Sequence, residues 1–218
     1  MNKELANEIN KHLCSNCEFL SECSDSIFNL KMDIAKIASI DVLLKVHPEK
    51  NQRDAVYKKM INYIKDHNNS FYDRYCVLCE LVELKFRNKE IADIVVEMLN
   101  EVPDNYSNEY HVWELFDLLY VLGCKTNKND YIYFADSAKF RDQDKQMLFL
   151  LFGKLKDDDY IELMLKNLDN YAINGHIISA LSKYKDVKFD KYFKNFVNDE
   201  RLWVKKIAKQ RLNVENKS

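Results

Sequence analysis

The chain contains only three glycines and two prolines in 218 residues. All-β folds place a turn about every 8–12 residues and draw heavily on Gly and Pro to make it. Here the apolar residues recur instead at intervals of three and four, which lines one face of a helix. Aromatic residues at 12% and a net charge of only −2 are typical of a packed core and argue against disorder. The expected fold class is all-α, arranged as a single domain over 1–218.

Location and redox state follow from the same reading. Met1-Asn2-Lys3-Glu4-Leu5 is charged from the start and lacks the apolar stretch of a secretory signal. No run approaches ~18 uninterrupted apolar residues, so no membrane span is expected. A cytoplasmic chain keeps cysteines as reduced thiols or metal ligands, and that is the expectation for the six present.

Charge is unevenly distributed. Residues 183–218 carry eleven Lys/Arg against five Asp/Glu, whereas Glu90 to Cys124 contains eight carboxylates and no Lys or Arg. Such local fields bear on partners more than the near-neutral total does.

Apolar periodicity, with the breaks at Pro48 and Pro103, predicts helices over 26–46, 52–66, 71–86, 89–101 and 108–122. Shorter ones follow over 129–137, 143–155, 158–168, 173–184, 189–197 and 200–213. These later helices repeat. Gly153-Lys154-Leu155-Lys156-Asp157 returns 29 residues on as Ser182-Lys183-Tyr184-Lys185-Asp186, and Ile173, Ile177 and Leu181 return as Val204, Ala208 and Leu212. A helix pair at this period is the sequence form of a helical repeat, whose units bury their faces only by stacking. Asn198-Asp199-Glu200-Arg201-Leu202-Trp203-Val204-Lys205-Lys206-Ile207-Ala208 resembles the inter-helix turn and second helix of a HEAT repeat. Leu150-Leu151-Phe152-Gly153-Lys154-Leu155 is similar in the same way. The resemblance implies a HEAT-like α-solenoid or curved bundle of antiparallel pairs over 128–213, with longer, irregular helices over 1–127.

Two cysteine patterns are candidate sites. Cys14, Cys17 and Cys23 form C-x2-C-x5-C beside His12. Two thiolates two residues apart can grip a tetrahedral metal, but with no evident fourth ligand the pattern reads first as thiols in a polar loop. Cys76 and Cys79 lie within a helical apolar run and read as core. No cofactor is expected: P-loop, H-E-x-x-H and G-x-S-x-G motifs are absent, and the five histidines show no local ligand spacing.

The predicted helix 108–122 carries the most information. Val112, Leu115, Phe116, Leu119 and Leu122 make its apolar stripe. Tyr110, Glu114 and Asp117 fall opposite, with Trp113 and Tyr120 at the edge. Carboxylates edged by aromatics suit a cationic partner, because the rings anchor while the carboxylates accept from Arg and Lys. The competing reading packs Trp113 and Tyr120 against a neighbouring repeat. Lys205, Lys206 and Lys209 share the side of the last helix opposite Trp203, Val204, Ile207 and Ala208, either as contacts with phosphate or an acidic protein or as a solvated face.

The expected function is a non-enzymatic adaptor or inhibitor that binds a basic protein, in the manner of bacterial toxin-immunity proteins. The alternative comes from Trp113-Glu114-Leu115-Phe116-Asp117, which is similar to the W-[DE]-x-x-D pattern of HEAT-like alkylpurine DNA glycosylases. That resemblance implies Asp117 as catalytic carboxylate and Trp113 as a wall of the lesion pocket. A nucleic-acid partner needs clustered cations, and the segment 90–124 opposes them.

Overall fold

A computed structural model describes residues 50–123 and 128–213. They form ten α-helices joined by short 3-10 turns, with no strand among the described residues. No described helix is long and apolar enough to cross a membrane. The chain divides into two compact units, Met1–Phe86 and Arg87–Ser218.

In the first unit, α1 (Lys50–Lys65) packs on α2 (Phe71–Glu83). Local chemistry sets the corner between them. The Asn69 side chain donates to the Tyr63 carbonyl at 2.8 Å, alongside the Asp66 amide, in the last turn of α1. Ser70 then caps α2 by accepting from the Asp73 amide at 3.1 Å. Met60, Ile61 and Ile64 are buried with Val77, Leu78, Leu81 and Val82. Arg74 is buried too, its Nε donating to the Ile64 carbonyl at 2.5 Å. The core stripe of α2 therefore runs through 74, 77, 78 and 81. Cys76 and Cys79 sit off that stripe and are half-buried thiols outside any disulfide, whereas their spacing predicts them in the core.

The second unit contains α3 (Lys89–Glu101), α4 (Val112–Leu122), α5 (Lys128–Asp136), α6 (Gln146–Leu155), α7 (Asp159–Lys166), α8 (Asn174–Leu181), α9 (Asp190–Phe193) and α10 (Leu202–Arg211). α3 starts at Asn88, whose side chain accepts from the Ile91 amide at 3.0 Å. α4 packs on α3 and on α6, α6 on α8, and α8 on α10. α5 touches both α6 and α7, while α9 lies against α10. The core is strongly aromatic. Phe116, Phe134 and Phe140 meet edge to face at 5.4–6.0 Å, and Tyr160 stacks on Phe152 at 4.3 Å.

Glycine sets one helix contact. A Cβ on Gly153 would stand 2.6 Å from the Ala180 Cα, so α6 and α8 approach at backbone distance there. The ends of several helices are closed from a distance. Lys154 Nζ donates to the carbonyls of Tyr120 and Val121 at the end of α4, and the Tyr184 hydroxyl reaches those of Phe152 in the last turn of α6 and Asp157 just beyond it. Arg211 does the same for Tyr184 and Asp186 beyond α8.

Two predicted helices are broken. The segment 189–197 is a single turn, α9, between 3-10 turns at Val187–Phe189 and Lys194–Phe196. The segment 108–122 splits at His111, which takes left-handed φ 48, ψ 40 between a 3-10 turn at Asn108–Tyr110 and α4.

Candidate functional site

α4 inherits its orientation from its buried stripe: Val112, Leu115, Phe116, Leu119 and Leu122 are all in the core. The other side is left for Trp113, Glu114 and Asp117. Trp113 is 39% exposed, so its ring is not enclosed by a neighbouring helix. Glu114 approaches His111 Nδ1 at 3.8 Å. Asp117 is half-buried, with no hydrogen bond or ion pair to any described residue. Desolvation, and after it the Glu114 charge, lifts its carboxyl above the ordinary value.

The break at His111 separates Tyr110 from this group. Tyr110 is half-buried on the 3-10 turn, so it does not share the helix face that continuous periodicity assigned to it. Tyr120, one end away, is covered by a cation. Lys154 Nζ lies 5.1 Å from its ring centre while donating to its carbonyl at 2.8 Å. The segment from Glu90 to Cys124 lacks its own base, but α6 supplies one at this end. Trp113, Glu114 and Asp117 thus form the open part of the surface. It offers a flat aromatic ring and a carboxylate awaiting a donor, the arrangement that accepts a Lys or Arg side chain.

A second feature has no counterpart in the sequence patterns. A cleft of about 540 Å³ lies between the loops at 104–106 and 137–141, lined among others by Asp104, Tyr133, Lys139 and Arg141. Tyr106 and Arg141, which line it, meet at the buried Asp144 carboxylate. The Tyr106 hydroxyl donates to Asp144 Oδ2 at 2.6 Å, and Arg141 Nε donates to the same oxygen at 2.7 Å. Both cleft cations are already engaged, since Lys139 Nζ reaches the Leu99 and Asn100 carbonyls and Arg141 Nη1 reaches Asn108. Tyr106 and Asp144 lie 38 residues apart, so no local pattern reveals the pair. The carboxylate implied by the glycosylase resemblance, Asp117, is not among the residues lining this cleft.

Cys14, Cys17 and Cys23 lie outside the described residues. Among the described residues, no group of three His, Cys, Asp or Glu side chains is placed to hold a metal ion. On α10, Lys206 is exposed and Lys205 and Lys209 are half-buried; none of the three has an ion-pair partner among the described residues. Trp203, expected on the apolar side with Val204, is 43% exposed.

No family model, curated protein or solved structure matches the chain.

Proposed function

We propose that the protein is a non-enzymatic binding module that recognises a basic partner protein through α4. The observation carrying this reading is Trp113, 39% exposed and one helical turn from the unpartnered carboxylate of Asp117. A partner's Lys or Arg placed against both would gain a charge-assisted hydrogen bond and a cation–π contact. The repeat reading supports the scaffold role. α4, α6, α8 and α10 begin at residues 112, 146, 174 and 202, about 30 residues apart, and each packs on the next. We read this succession as HEAT-like stacking, which presents side chains on rigid helices.

The test is affinity capture from the source cell with three forms of the chain. Wild type should retain a basic protein, Glu114→Lys/Asp117→Lys should lose it, and Trp113→Ala should weaken it at unchanged melting temperature. Excision of alkylated bases from duplex DNA, abolished by Asp117→Asn, would overturn the proposal in favour of a glycosylase.

A further inference from the structure

The second unit carries another aromatic surface, at the start of α10. Tyr171 is 57% exposed, Leu202 79% and Trp203 43%. Their positions are fixed by the protein itself. The Arg201 guanidinium stacks 4.3 Å from the Tyr171 ring centre and donates to the Tyr171 carbonyl at 3.1 Å. The Tyr171 hydroxyl donates in turn to Glu200. Trp203 lies 5.2 Å from the His176 ring and directly over Gly175, where a Cβ would meet its ring at 2.8 Å. Rings held this way lose little freedom when a partner arrives.

The charges around this surface divide into two sets. Asp199 is paired with Arg201 at 2.8 Å, and Glu200 is bonded to Tyr171. Lys205, Lys206 and Lys209 have no such partner among the described residues. At about 100° per residue the three lysines fall on the Leu202 side of α10, Lys206 nearest Trp203, and an aromatic–aliphatic patch with lysines along one side fits an acidic surface that carries its own aromatic anchor. The chain bears such a surface on α4: Trp113, Glu114 and Asp117, in a segment of eight carboxylates without Lys or Arg.

We propose that the α10 surface of one copy docks the α4 surface of a second copy, so that the chain associates head to tail. This rests on the reading of α4 as a binding face for a basic partner, and names another copy as one such partner. Unlike faces give a heterologous contact, which leaves one face of each kind open at the ends of any assembly that does not close into a ring. Opposite charge across the contact makes it sensitive to salt.

Sedimentation velocity of the full chain tests this. At low salt the wild-type mass should rise with concentration above the 26.0 kDa of one chain, and fall back in high salt. Leu202→Ser/Lys206→Ser and Glu114→Lys/Asp117→Lys should each remain monomeric alone. Mixed together, they retain one intact face apiece and should form a complex that stops at two chains. Wild type that stays monomeric at every concentration and salt overturns self-association, as does an assembly that persists in either variant. Failure of the mixed variants to pair also overturns it. Cytochrome c, a basic probe protein, separates the two readings. If monomeric wild type still binds it and Glu114→Lys/Asp117→Lys does not, self-association fails while the α4 reading stands.

Discussion

Gly153→Ala should destabilise the protein even though it adds a good helix former to a helix interior. Two terms oppose each other. Replacing glycine by alanine within a helix gains about 1 kcal/mol in propensity. The new Cβ, however, would stand 2.6 Å from the Ala180 Cα and 2.9 Å from both its Cβ and its carbonyl oxygen. Two of those three atoms are backbone and cannot rotate away, so α6 and α8 must separate. Forcing a methyl into a packed site costs ~1–3 kcal/mol, and the backbone contact places this case at the upper end. The net loss is then ~2 kcal/mol, a fall in Tm of roughly 4–8 °C for a chain of this size. Far-UV circular dichroism during heating, with a urea titration at fixed temperature, measures both quantities. Ala180→Gly removes only the Cβ contact and itself costs up to about 1 kcal/mol of helix propensity, so its relief of the clash should appear as a favourable coupling energy of ~0.5 kcal/mol or more in the double mutant. A Gly153→Ala protein that melts at or above the wild-type temperature would refute the close approach of α6 to α8.

Arg211 donates to Asp190 at 2.7 Å as well as to the Tyr184 and Asp186 carbonyls, and its side chain is 14% exposed. Arg211→Met keeps the stem but strands these acceptors, so the urea midpoint should fall by an amount equivalent to ~1.5–3 kcal/mol at unchanged slope. Because the Asp117 carboxyl is raised by desolvation and then by Glu114, the folded state holds that proton more tightly than the unfolded chain. Its contribution therefore lowers stability as pH rises from the ordinary carboxylate range through the raised value, and is level above it. Asp117→Asn should remove that decline from urea midpoints measured between about pH 4 and 7. The His176 imidazole is depressed below 6.5 by burial and then by Arg201, so the unfolded chain binds its proton more readily. Stability present at neutral pH should be lost as pH falls from the ordinary imidazole value through the depressed one, and His176→Gln should flatten melting curves over that window.

Helices with strong local punctuation are legible in the amino-acid sequence. Asn88 ahead of an amphipathic run marks α3, and Ser70 marks α2, because a cap and an apolar period are properties of neighbouring residues. The break at His111 is not legible, since neither Gly nor Pro announces it and the apolar spacing continues through it. That single left-handed residue is what removes Tyr110 from the face shared by Trp113, Glu114 and Asp117. Burial on α2 departs from its pattern for a related reason. Cys76 and Cys79 have the right spacing for a stripe, but Arg74 joins Val77, Leu78 and Leu81 in the interior because the Ile64 carbonyl receives its Nε. The cover that Lys154 gives Tyr120 is equally hidden, since a lysine 34 residues away reads in isolation as a surface residue.

The distant caps give the second unit a direction in time. The carbonyls at the end of α4 meet Lys154, those at and just past the end of α6 meet Tyr184, and those beyond α8 meet Arg211. A ribosome adds about 5–20 residues per second, so each of these donors is made roughly 1–7 s after the carbonyl it reaches. Each of these three ends is therefore completed by a residue made later: Lys154 in α6, Tyr184 just after α8 and Arg211 in α10.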